Sequence, residues 1–311
     1  MAEAPSASSL ARSSLLPGLA LCFNALVWGV SWLPFRELNA LGVHPLWATA
    51  IVFGVAVLLA CIWHPQAWRG LFTYPWLWVL MAASGLSNFS FNWAMTIGDV
   101  VRVALLFYTM PAWSVLLAWW LLGERPTRQT WAQLVLALTG VLVVMKSPES
   151  PWPIPESLAD YLALLGGFAF ALTNSVMRKV PGAHPASRVL AMFAGGATAS
   201  LVVAVITWQQ GMVPAMPAPD WPWIAWLSGL TVAFVAGNLA FQFGATRLGV
   251  MTASLIMLSE LLFAAVSSAW WGASTLTLRT LAGGSLIVLA AVLASKKQAS
   301  PPVTEANKDF L

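Results

Sequence analysis

Glu260 lies near the middle of a long apolar stretch, within Leu255–Val266, and is the residue best placed to do chemistry. An ionised carboxylate at the centre of a lipid-embedded helix costs about 2.5–3.5 kcal/mol, a cost that the neutral acid avoids. Two uses follow: holding the ammonium group of a substrate, or carrying a proton during exchange. The plain alternative is a protonated or hydrogen-bonded helix anchor beside Ser259. No Lys or Arg within an apolar stretch stands as counter-ion, because Arg36, Arg102 and Arg178 all sit near stretch ends.

Around this acid the sequence offers amides and aromatics at helical spacing. Asn24, Trp28 and Ser31 fall at i, i+4 and i+7, with Trp32 beside them. Asn88 and Asn92 share a face, as do Asn238 and Gln242, and Asn174 lies one turn after Phe170. Tyr108 and Met110 flank Pro111, which interrupts an apolar stretch and frees the carbonyl of Phe107 one turn earlier. We take these residues and Glu260 as substrate-binding candidates and Pro111 as a gating kink. Hydrogen bonding between helices is the competing use of each amide, at about 0.6 kcal/mol per bond. Four helices presenting amides exceed what packing requires, so the set predicts a shared polar cavity. Enzyme chemistry is disfavoured. His44, His64 and His184 are scattered at loop ends, and no HExxH, GxSxG or Walker motif occurs. No metal or cofactor is expected.

The elements that position these residues must be membrane helices. The chain is 59% hydrophobic and 8% charged, against about a quarter charged in soluble proteins. Apolar stretches recur at approximately 17–36, 44–63, 74–97, 102–122, 128–145, 158–179, 186–208, 221–243, 250–271 and 277–295. In lipid each must satisfy its own backbone, which predicts ten transmembrane helices in an all-α integral membrane protein. A cytoplasmic N-terminus puts eleven Lys and Arg inside, among them Arg12, Arg69, Arg247 and Lys308, and only Arg36, Arg102, Lys146 and Arg279 outside. The positive-inside bias therefore places both termini in the cytoplasm. It also accounts for the net charge of +4 without invoking nucleic acid. Glu149, Glu156 and Asp160 then face outward. Cys22 and Cys61 fall at the reducing side and read as packing residues.

Trp63, Trp68, Trp76, Trp152, Trp208, Trp221 and Trp223 lie at stretch ends and read as interfacial anchors. Trp28, Trp32, Trp93 and Trp113 lie deeper and suit stacking on an aromatic ligand.

The second half echoes the first. Gly42-Val43-His44-Pro45 returns as Gly182-Ala183-His184-Pro185, Ser84-Gly85-Leu86 as Ser228-Gly229-Leu230, and Trp119-Trp120 with Gly123 as Trp270-Trp271-Gly272. Five helices per half is an odd number, so the halves insert with opposite orientation, a plan common to secondary transporters. The boundaries read as a cytoplasmic tail 1–16, a first five-helix module 17–147, an external linker 148–157, a second module 158–295 and a tail 296–311.

Pro111, Gly123-Glu124, Trp131 and Gly140 resemble the EamA-type module of the drug/metabolite transporter superfamily. The resemblance covers essentially the whole chain through its ten-helix, two-module plan. The second module departs from it: Glu260 stands where Pro111 stands, and Gly272-Ala273 replaces Gly-Glu. In general character the chain is similar to YddG-type exporters of aromatic and neutral amino acids in the bacterial inner membrane. That similarity implies a basket of helices one to four and six to nine around a cavity, with five and ten peripheral, and a small-molecule substrate moved by alternating access. A carrier of the same fold for another metabolite or a drug is the alternative. Gly195-Gly196 and Gly283-Gly284 permit close helix approach, and no oligomer is predicted from them.

Overall fold

The computed structural model describes residues 7–123, 125–146, 154–245, 247–248 and 250–298. Glu124, Glu149, Trp152 and Lys308 lie outside them, as do most of the linker and the outermost parts of both tails. The described residues form fourteen helices and no strand. In the first half these are α1 (Ala7–Val30), α2 (Trp32–Ala40), α3 (Pro45–Trp63), the short α4 (Arg69–Thr73), α5 (Trp76–Ile97), α6 (Val100–Phe107), α7 (Met110–Leu122) and α8 (Arg128–Met145). The second half holds α9 (Leu158–Lys179), α10 (Pro185–Gln209), α11 (Trp221–Ala245), α12 (Val250–Met257), α13 (Ser259–Trp270) and α14 (Leu278–Gln298).

Among the described residues, seven helical bodies are long and apolar enough to cross a membrane by length and composition. Two of them, Leu15–Ala40 and Val100–Leu122, join consecutive helices. α5 has the length, but Ser84, Ser87, Asn88, Ser90 and Asn92 lower its hydropathy below that measure.

Helix ends are set by local residues, and they come in matched pairs. His44 and His184 cap α3 and α10 with nearly the same backbone (φ −58°, ψ 144° and φ −58°, ψ 137°), each followed by Pro at the first helical position. Each imidazole Nδ1 accepts from the amide two residues on, Leu46 at 3.3 Å and Ala186 at 3.2 Å. This satisfies one of the orphan donors of a helix N-terminus. Gly123 and Gly272 end α7 and α13 at φ 70° and 66°, the left-handed region open to glycine. A third pair was not read from the sequence: Thr127 caps α8 through Thr130, and Thr277 caps α14 through Thr280, with Oγ–Oγ distances of 2.9 Å in both.

The largest interfaces join helices of different halves. α5 packs on α9 and α10, α3 on α10, α1 on α11 and α13, and α8 on α14. Missing side chains let backbones meet. A Cβ on Gly195 would stand 1.9 Å from the Met81 carbonyl oxygen, and one on Gly85 2.4 Å from the Gly195 oxygen. Gly195 is thereby used inside the bundle. Several tryptophans at helix ends, including Trp63, Trp68, Trp208 and Trp221, are exposed. Cys22 is half-buried and Cys61 is exposed, so the packing role expected of both does not extend to Cys61.

Candidate functional site

Three long bodies are broken midway, each at or beside a residue with a hydroxyl. Pro34 cannot donate to the carbonyl of Val30, and the Ser31 hydroxyl takes the Trp28 carbonyl at 2.8 Å, separating α1 from α2. Pro111 separates α6 from α7 at Tyr108 and Thr109, where the Thr109 amide bonds three residues back to Leu106. The freed Phe107 carbonyl rests on Gly167 of α9, where a Cβ would lie 2.5 Å from it. The third break, between α12 and α13, has no proline; the Ser259 hydroxyl takes the Ile256 carbonyl at 2.6 Å. Pro34 and Pro111 mark two of these interruptions in the sequence, only the second of them read there as a kink, and no proline marks the third.

Glu260 is the second residue of α13, in the first turn after this third break. On its helix Leu262, Val266 and Trp270 are exposed, whereas Ala264 and Ser267 are buried. Glu260, Ala264 and Ser267 follow i, i+4, i+7 spacing, so the acid occupies the inward stripe. α1 crosses at this level: a Cβ on Gly29 would lie 2.7 Å from the Glu260 carbonyl oxygen. Tyr108 is buried at the second break, at the end of α6, which packs on α13. Aromatic rings continue from there. Phe107 and Tyr108 are 6.4 Å apart between centroids, Phe107 and Phe170 5.5 Å, Phe107 and Phe91 4.6 Å, Phe91 and Trp28 6.3 Å, and Trp28 and Phe234 4.5 Å. Met110 packs against the same cluster. Thus Trp28, Tyr108, Met110 and Phe170 are brought together, with Phe91, Phe107 and Phe234 added by the fold, and Glu260 stands on α13, which packs on α1 and α6.

The amides disperse. Asn92 is fully buried and donates to Thr49 Oγ1 at 3.0 Å, tying α5 to α3. Asn88 turns back on Ser84, whose hydroxyl in turn donates to the Met192 carbonyl of α10. Asn24 packs against Gly237 and donates to Met257 Sδ at 3.6 Å. Asn174 is half-buried one turn beyond Phe170. Asn238 accepts from Gln242 at 2.7 Å, and both line a cavity of about 250 Å³ between α3, α10 and α11 with Trp63, His64, His184 and Phe193. Of the deeper tryptophans, Trp32 donates to Ser267 Oγ at 2.9 Å, Trp93 meets His44 edge-on, and Trp113 meets Phe168.

The opposite end of the bundle is charged. Arg102 donates from Nε and Nη2 to the two carboxylate oxygens of Asp160, at 2.8 Å each, and from Nη1 to the Val144 carbonyl at 2.9 Å. This ties α6, α8 and α9 together across the halves. Asp99 and Arg102, with Lys146, Glu156 and Arg279, border a recess of about 560 Å³. Sequence reasoning placed Arg102 and Asp160 toward the same outward side without pairing them. Their opposite signs at that shared depth were the available signal.

Apolar helices that break midway around a carboxylate and a line of aromatic rings define a multi-pass membrane transport protein. The EamA-like transporter family matches residues 16–146 and again 157–296, and the chain belongs to that family, within the drug/metabolite transporter superfamily. It is 32% identical over 172 residues to an uncharacterized transporter of Pseudomonas aeruginosa, covering 51% of this chain and 55% of that one. It is 26% identical over 176 residues to the RarD protein of Salmonella typhimurium, covering 54% and 56%. The chain therefore spans about half the length of the curated relatives it matches. A solved crystal structure shares the fold with a TM-score of 0.53 at 17% identity, covering 93% of this chain and 99% of the other.

Proposed function

We propose that this protein is a secondary carrier that exports small metabolites, namely neutral amino acids including aromatic ones, across a bacterial inner membrane by alternating access. In this reading ten helices cross the membrane as two inverted five-helix modules, 17–147 and 158–295, joined by an external linker, with both tails in the cytoplasm. The centre between the three helix breaks binds the substrate. Glu260 receives its ammonium group, and Trp28, Tyr108, Met110 and Phe170 receive its side chain. Asn238 and Gln242 line the cytoplasmic approach through the cavity beside His64 and His184. The observation that carries this reading is the placement of Glu260 on the inward stripe of α13, at the level where α1 crosses it.

Counterflow of labelled phenylalanine into proteoliposomes preloaded with unlabelled phenylalanine tests it. Saturable accumulation competed by tryptophan is expected. No accumulation above protein-free liposomes, by protein shown to be folded, removes the amino-acid assignment.

A further inference from the structure

Two arginines stand at the end of the bundle that the carrier reading places outside, and they are held differently. Arg102 is satisfied: Nε and Nη2 meet the two oxygens of Asp160, and Nη1 meets the Val144 carbonyl. Arg36, on α2, donates from Nη2 to the Gly98 carbonyl at the C-terminal end of α5, while its Nε is buried without a partner among the described residues. A buried donor left unpaired offsets part of what the neighbouring bond contributes. Arg102 therefore suits a contact that is kept, and Arg36 one that is released.

The element that Arg36 fastens is α2. Whereas α1 packs on α11 and α13, α2 turns past the break at Ser31 to lie against α5 and α11. Its nine residues bury Trp32, Phe35 and Leu38, and Phe35 meets Phe234 of α11 at 6.3 Å. Trp32 donates from Nε1 to Ser267 Oγ of α13 at 2.9 Å, and Arg36 lies over the same indole at 5.2 Å. This short helix thus reaches α5, α11 and α13 across the end of the bundle. The Ser267 hydroxyl also donates to the Ala264 carbonyl of its own helix, so it keeps a partner when the indole leaves. At the other end of α2, Pro34 withholds a donor from the Val30 carbonyl, which weakens the backbone join to α1.

We propose that α2 is a lid hinged at Ser31 and closed in this structure, latched by Arg36 on the Gly98 carbonyl and by Trp32 on Ser267, and that release of the latch opens this end of the bundle toward the ring cluster of Trp28. The inference rests on the carrier reading for the use of the lid and the side it faces, and on the contacts of α2 for the lid itself.

The test is the distance between spin labels on Leu41→Cys, at the far end of α2, and Leu278→Cys, at the start of α14. Both positions are exposed, and the full chain is used in proteoliposomes with Cys22 and Cys61 replaced. Arg36→Gln adds a longer distance and raises the ratio of open to closed lid about tenfold, the size expected when a charge-assisted hydrogen bond is lost. Arg36→Lys, which keeps the charge, raises it less. Trp32→Phe keeps the ring and loses only the indole donor, so it lengthens the distance as well and carries the test if Arg36→Gln does not fold. Asn39→Ala, on the exposed face of the same helix, leaves the distribution unchanged. Distances unmoved by both Arg36→Gln and Trp32→Phe in folded protein, or moved as far by Asn39→Ala, overturn the lid. Phenylalanine counterflow separates the two readings. Counterflow with an unmoved lid overturns the lid and leaves the carrier. A lid that opens in the variants, without counterflow by the wild type, supports the lid and removes the amino-acid carrier.

Discussion

Replacing Asp160 by Asn should loosen the charged end of the bundle by about 3 kcal/mol. The wild-type carboxylate accepts two hydrogen bonds at 2.8 Å from Arg102 and one at 3.0 Å from the Glu156 amide. An asparagine keeps one accepting oxygen and turns an NH2 toward a donor, so at least one charge-assisted bond is lost, each worth about 1.5–3 kcal/mol. Removing one partner of a buried pair costs about 3–5 kcal/mol. The Asp160 side chain is 3% exposed but that of Arg102 is 24%, and the guanidinium retains the Val144 carbonyl. The lower end of that range therefore applies. Because the pair joins α6 to α9, the loss should appear in global unfolding. The assay is reversible unfolding in mixed micelles, followed by circular dichroism, on Asp160→Asn, Arg102→Met and the double variant. A coupling energy of about 2 kcal/mol is expected from the cycle, since removing both charges leaves no ion unpaired. A coupling below about 0.5 kcal/mol would refute the reasoning and demote the pair to a solvent-screened contact.

Three further outcomes follow from the packing. Gly195→Ala should destabilise the protein by about 1–3 kcal/mol, because its Cβ meets the Met81 carbonyl at 1.9 Å; Gly54→Ala, with nothing within 4 Å, should leave the melting temperature unchanged or higher, and equal melts would refute the crossing. On a cysteine-free background, Asn238→Cys should react with a membrane-impermeant maleimide through the α3–α10–α11 cavity, whereas Asn92→Cys, fully buried, should not; labelling of both or neither refutes this placement. His184→Ala should cost about 1 kcal/mol through loss of the α10 cap and His184→Asn should recover most of it, as read by thermal unfolding.

Only part of the site was legible in the sequence, and the division has a physical cause. Asn88, Asn92, Asn238 and Gln242 follow the helical period whether they face water or protein, so spacing alone assigned all four to a common cavity. The fold closes Asn92 onto Thr49 and Asn88 onto Ser84, and leaves Asn238 and Gln242 beside His64. Ser31 and Ser259 stand at their breaks with a hydroxyl bonded three residues back, but Ser267 and Ser268 make the same bond inside α13 without interrupting it, so a serine in the sequence does not by itself mark a break.

What the sequence by itself determined is local or periodic. Apolar stretches satisfy their own backbones in lipid, Pro45 and Pro185 follow histidine caps, Pro111 removes a donor, and the Gly-x-His-Pro and Trp-Trp echoes mark a repeat. These statements depend on nothing beyond a few neighbouring residues. Tertiary structure decided which helix meets which: that α5 lies against α9 and α10 of the other half, that Arg102 finds Asp160, and that Phe91, Phe107 and Phe234 join the ring cluster of Trp28. Partner choice depends on backbone approach distances set by glycines such as Gly85 and Gly195 on different helices, and one helix's residue spacing carries no record of its neighbour.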